Sequence, residues 1–203
     1  IPVYEKSGLI SRLDRYIWEQ AAAKLGEWKK AGINMSISVN ISPKDFYYID
    51  IFNTFAGLIK KYDIEPSNLK IEITETTIMS DVPNLMGELE ELRKAGFTLE
   101  MDDFGSGYSS LNTLKDINVD VLKVDMGFIK ETKNVKKSRI ILASVIKMAK
   151  ELNLLIITEG VETEEQVDNL TKLGCDVFQG YYFSKAIDVN EFEKRYLYRK
   201  KAG

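Results

Sequence analysis

Histidine is absent from the 203 residues, and with it go Ser-His-Asp triads, Cys-His pairs and histidine-based zinc sites within this chain. Acid–base chemistry therefore falls to Asp, Glu, Lys, Tyr or water. Cys175 is the single cysteine, which excludes an internal disulfide framework and fits a reducing compartment, so a bacterial-style cytoplasm is the expected location. No apolar run approaches the roughly 20 residues that a membrane helix needs; a membrane anchor would belong to other parts of a parent protein. Basic residues are in no excess, because 28 Lys and Arg against 31 Asp and Glu give a net charge of −3. Without a basic field the chain offers nothing to a nucleic-acid polymer, and a phosphate ligand must be held by local groups. The opening IPVYEKSGLI has neither an initiator Met nor a signal-peptide pattern, so the sequence reads as a piece of a longer protein. Linkers, low-complexity tracts and repeats are missing too, and one domain over residues 1–203 is expected.

What the chain does contain is alternation. SRLDRYIWEQAAAKLGEWKK, residues 11–30, carries Leu13, Ile17, Ala21 and Leu25 on one stripe and is closed by Gly32, the pattern of an amphipathic helix. A strand, MSISVNIS, follows, then a helical stretch up to Tyr62 and a second strand, LKIEITE. Helix around Asn84–Ala95, strand FTLEMDD, helix SLNTLKDI, strand VDVLKVD, helix Lys136–Leu152, strand LLIITEG, helix Glu164–Leu173, strand DVFQGYYFS and a terminal helix from Val189 complete the series. Strands separated by helices argue for parallel βα units and an α/β fold.

The polar residues gather at one place in this pattern. Asn40, Glu72, Asp102 with Asp103, Lys123 with Asp125, Glu159 and Gln179 each stand at or near the C-terminal end of a different expected strand. That edge is where barrels and open α/β sheets build their sites. Period-two geometry puts Lys123 and Asp125 on one face and sends Glu72 and Glu75 to opposite faces. Asp102 and Asp103 diverge in an extended strand and converge only if the chain turns sharply, which Gly105 and Gly107 permit. Clustered carboxylates, an Asn carbonyl and a Gln amide, with no His, suit Mg²⁺ or Mn²⁺ rather than Zn²⁺. The number of acids leaves room for two ions, and paired ions about 3.5–4 Å apart serve phosphoester hydrolysis.

DDFGSGYSSL resembles the signature of EAL domains, the bacterial cyclic-di-GMP phosphodiesterases. SVNIS, IEITE, LKVD, EGVET and FQGYYFSK match that family's other motifs in its order, over essentially the whole chain. The resemblance implies a modified TIM (β/α)8 barrel that cuts one phosphodiester of cyclic-di-GMP to give linear 5′-pGpG with two Mg²⁺ or Mn²⁺ ions. It implies Asn40, Glu72 and Asp102 as ligands of one ion, Asp103 and Glu159 of the other, and Asp125 as a support for the surrounding waters. Lys123 would polarise the attacking water or the phosphate, Glu159 accept a proton, and Gln179 orient water or substrate. Glu75 would anchor the loop after DDFG, with Glu162 a supporting acid. Thr158 and Ala186 stand where the family usually has Ala and Pro, and neither change removes a ligand.

The family's naming Glu-Ala-Leu motif lies on a first barrel strand that these residues do not include. The expectation is thus a barrel missing its N-terminal strand, from a parent that also carries a GGDEF or sensor domain. The stripe Ile140, Ala143, Val145 and Met148 reads first as barrel packing, with a homodimer contact as the second reading. The alternative to an enzyme is an inactive EAL-like module that binds cyclic-di-GMP or a protein partner. A lyase or isomerase barrel using Lys123 and Asp125 leaves Asn40, Glu72 and the Asp pair without a task.

Overall fold

The computed structural model describes residues 9–105, 110–125, 127, 135–175 and 177–198. Among them, strands β1 (Ile37–Asn40), β2 (Leu69–Thr74), β3 (Leu99–Asp102), β4 (Val121–Asp125), β5 (Leu155–Glu159) and β6 (Val177–Phe178) form one sheet whose spatial order equals their chain order. Every adjacent pair is parallel. This is the parallel α/β architecture that the alternation predicts, with part of the strand set of the TIM-type barrel that the family resemblance implies. No helix among the described residues is long and apolar enough to cross a membrane.

The two faces of the sheet differ in chemistry. Leu69, Ile71, Ile73, Leu99, Met101, Leu122, Val124 and Ile156 join the helices in one continuous core. Each such side chain, fully buried, contributes about 1.5–3 kcal/mol. The alternate residues Lys70, Glu72, Glu100, Asp102, Lys123 and Glu159 occupy the other face, because successive strand residues point to opposite sides.

Helix α1 (Ile10–Lys30) buries Trp18, Ala21, Ala22, Leu25 and Trp28. The expected stripe is thereby rotated, and Ile17 is left 44% exposed. Trp18 takes its place for two reasons: its ring lies 4.9 Å from Phe55, and its indole N–H donates to the Asn40 carbonyl at 2.9 Å. The stretch up to Tyr62 is two helices, α2 (Asp45–Tyr48) and α3 (Ile51–Tyr62), because Ile49 is extended and Asp50 caps the second by accepting from the Asn53 N–H. Strand β2 stops one residue early for a similar reason: Thr74 caps α4 (Glu75–Ile78), so Glu75 is helical.

Helices α5 (Leu85–Lys94), α6 (Ser110–Asp116), α7 (Val135–Glu151), α8 (Glu164–Leu173) and α9 (Val189–Phe192) follow, the last continuing into a π-type turn, Glu193–Leu197. The α7 stripe is also rotated. Leu142, Ile146 and Ala149 are buried in the core whereas Ile140 is 59% exposed, and this helix packs on β5. Strand β6 is much shorter than DVFQGYYFS suggests. After Phe178 the backbone bonds leave the ladder for the loop after β5: the Val161 N–H donates to the Gln179 carbonyl at 3.1 Å, and the Tyr182 N–H to the Val161 carbonyl at 3.0 Å. Only glycine fits at position 180, where a Cβ would lie 2.1 Å from the Val161 oxygen. At the far end of the sequence, Glu193 accepts from the Trp28 indole at 2.8 Å and Phe192 lies 5.9 Å from the Trp28 ring, tying the last turn to α1.

Candidate active site

Lys123 is 4% exposed and forms the centre of the site. Its Nζ lies 2.9 Å from Glu72 Oε1, 2.9 Å from Glu159 Oε1 and 3.3 Å from Asp102 Oδ1. The acids come from β2, β3 and β5 and the cation from β4, so parallel strand ends alone bring them together. One ammonium among three carboxylates leaves an excess of negative charge. Burial raises the pKa of Glu72 and Glu159 from the ordinary carboxylate value; Lys123 opposes the rise, and Asp102 adds to it by repulsion. Burial also works against charge on Lys123, but hydrogen bonds to Glu159 and Glu72 outweigh it and the pKa of the ammonium is raised. Lys123 is therefore held as a cation, while Glu72 and Glu159 bind a proton more readily than ordinary carboxylates.

The remaining expected residues line this centre to different degrees. Asn40 is opposite Glu72 in the β1–β2 register, and Asp125 is opposite Glu159 in the β4–β5 register. Both are exposed at the strand ends. Asp125 Oδ1 also accepts from the Gly127 N–H at 2.5 Å. The Asp pair converges through Asp103 itself, whose φ is +55°, in the left-handed region that Asp tolerates better than most residues. Its N–H donates to Asp102 Oδ1 at 2.9 Å. Burial, then repulsion from Asp102 and Asp125, raises the Asp103 pKa. Gln179 is held beside the site by its N–H bond to the Thr158 carbonyl at 2.8 Å.

Two expected residues lie on the segments that follow β2 and β5. Glu75 is 1% exposed at the start of α4, and residues 106–109 of the loop it was expected to anchor lie outside the described residues. Glu162 is exposed in the turn before α8, its N–H donating to Gln166 Oε1 at 2.6 Å. A cavity of about 680 Å³ lies at the opposite end of the sheet from the site, lined by Arg93, Asn118, Asp120 and Asn153 near the N-terminal ends of β4 and β5.

The donor set fits a hard cation. Its ligand atoms are all oxygens, and Glu72, Asp103 and Glu159 are each pushed up by burial and mutual repulsion, a strain that a divalent ion relieves. Among the described residues no three acids stand at the spacing of a preformed metal cage, because Lys123 fills the space between Glu72, Asp102 and Glu159. Sequence reasoning missed one neighbouring group, the Ser38–Glu100–Lys70 cluster on the same face; the period-two step from Asp102 to Glu100 was the available signal.

The family model of the EAL domain matches residues 1–186. This chain belongs to the EAL domain family. The EAL domain is 36% identical to the probable cyclic di-GMP phosphodiesterase PdeG of Escherichia coli, over 99% of this chain and 40% of PdeG. It is 34% identical to the bifunctional diguanylate cyclase/cyclic di-GMP phosphodiesterase MucR of Pseudomonas aeruginosa, over 94% of this chain and 28% of MucR. A solved MucR phosphodiesterase–cyclic-di-GMP complex superimposes with a TM-score of 0.86, covering 94% of this chain and 78% of that one. The manganese and cyclic-di-GMP complex of Klebsiella pneumoniae BlrP1, 29% identical, gives 0.75 and covers 86% of this chain and 44% of that one. The EAL domain spans between 23% and 40% of the length of the curated relatives it matches.

Proposed function

We propose that this EAL domain, residues 1–203, hydrolyses one phosphodiester of cyclic-di-GMP to linear 5′-pGpG. The observation that carries the reading is the Lys123 centre, where acids from β2, β3 and β5 converge in a family whose relatives are named as cyclic-di-GMP phosphodiesterases. Two divalent ions, Mg²⁺ or Mn²⁺, would be held by Asn40, Glu72, Asp102, Asp103 and Glu159 and would supply water activation and neutralisation of phosphate charge. Manganese in the BlrP1 complex supports a divalent ion here.

The protein's own groups divide the remaining work. Lys123, fixed as a cation, holds a phosphate oxygen or the attacking water. Glu159, with its raised pKa, takes the proton that water sheds as its oxygen bonds to phosphorus. A product with a 5′-phosphate requires the bond to the 3′-oxygen to break, and that oxygen leaves as a hydroxyl with a proton returned by Glu159 or taken from solvent. Gln179 and Asp125 orient water at the rim; Glu75 and Glu162 act as loop-anchoring and supporting acids. The limited share of the relatives that this chain spans supports GGDEF or sensor modules elsewhere in the protein. A homodimer and a cytoplasmic location belong to the same reading, with exposed Ile140 available for the contact.

The test is release of pGpG by the intact protein from cyclic-di-GMP with Mg²⁺ or Mn²⁺. Asp102→Asn should lower turnover by roughly 10³-fold or more while the circular dichroism spectrum is unchanged. Undiminished hydrolysis by this variant would remove Asp102 from the mechanism.

A further inference from the structure

Glu100 is 1% exposed on the same sheet face as Asp102 and directly opposite Glu72 in the β2–β3 register. Its two oxygens are separately occupied: Oε1 lies 3.0 Å from Lys70 Nζ, and Oε2 accepts from the Ser38 hydroxyl at 2.9 Å. Ser38 and Lys70 are themselves opposite each other in the β1–β2 register. Two carboxylates thus sit side by side on different lysines, Glu100 on Lys70 and Glu72 on the Lys123 that Asp102 and Glu159 share.

A buried ion pair is a weak source of stability, since an apolar pair of like volume often serves as well. Its position offers a better account. Lys70 and Glu72 share a face of β2 two residues apart, so a Lys70 ammonium released by Glu100 has Glu72 as a neighbouring acid on its own strand. There it would compete with any cation for the same oxygens. Glu100, held by Ser38, keeps Lys70 away, while Lys70 cancels the charge of Glu100.

We propose that the Ser38–Glu100–Lys70 cluster is a positioning device that withholds Lys70 from Glu72 and so keeps Glu72 open to a divalent cation. The proposal rests on the metal-dependent reading of the site. Its signature is a pair of opposite effects. Glu100→Gln frees Lys70 onto Glu72 and lowers Mn²⁺ affinity about tenfold. Lys70→Met removes the competitor and leaves Glu100 uncancelled beside Glu72, raising affinity several-fold, and the double variant returns to within about threefold of wild type.

Mn²⁺ binding to the intact protein is measured by titration calorimetry, with thermal melts to confirm folding. If Glu100→Gln does not fold, Lys70→Met is compared with the double variant: affinity must fall when the Glu100 charge is removed. Single variants that shift affinity in the same direction, or not at all, overturn the proposal and leave the phosphodiesterase reading standing. Wild-type protein that takes up no Mn²⁺ overturns both.

Discussion

Charge is handled in opposite ways at the two ends of the sheet. At the N-terminal ends of the strands each group is settled locally: Asp120 accepts the Leu99 N–H at 2.9 Å and lies 3.6 Å from Arg93 Nε. At the C-terminal ends three carboxylates crowd one ammonium and two of the three are pushed up in pKa. The first arrangement stabilises the fold. The second works against it in the absence of further cations, and that unrelieved charge is what the proposed function draws on.

Substitutions at each end should separate the two behaviours. Lys123→Met, at the crowded end, is expected to reduce turnover about 10²-fold or more and to lower the melting temperature in chelator, as three acids lose their shared partner. A variant as stable and active as wild type would dissolve the contrast. Gly180→Ala acts beside the site, forcing Gln179 away from Val161; a loss of about 1–3 kcal/mol in denaturant melts with reduced turnover is expected, and full activity would show that this loop does not set the position of Gln179. Asp120→Ala, at the settled end, should cost about 1 kcal/mol, since water can replace part of a half-exposed contact. Turnover at saturating substrate should not change, and a fall would join the two ends.

The smallest effect is in pH dependence. Glu72 and Glu159 have folded pKa values raised above the ordinary 4.5. Their contribution to stability is therefore full below pH 4.5 and is lost as pH rises through the folded values. In chelator, wild-type stability relative to Glu159→Gln should fall as pH rises past the ordinary 4.5, read by chemical denaturation. A rise instead would contradict the environment described for Glu159.

Much of the crowded end was legible in the sequence because alternation and period two act locally. Helix α8 has the expected bounds, Glu164–Leu173, since Thr163 and Gln166 form a capping box and Gly174 ends it at φ +95°. Elsewhere tertiary contacts overrode local pattern. Ile17 and Ile140 match a helical stripe as well as their neighbours do, but Trp18 has a carbonyl to bond and Leu142 meets the sheet. VFQGYYF is rich in strand-forming residues, and nothing local reveals that Gly180 will be seated on Val161. The Glu100–Lys70 pair needed the β2–β3 register, and the left-handed turn at Asp103 needed the backbone itself.

The sequential strand order bears on how the molecule is made. A sheet that grows in the order of translation lets each new strand settle on a finished neighbour while the ribosome is still delivering the next, so nascent intermediates pair natively from the start. The contact between Trp28 and Glu193 spans 165 residues and can form only once synthesis has passed both. Truncation after α8 should therefore leave a chain that retains its early strands and fails to fasten α1.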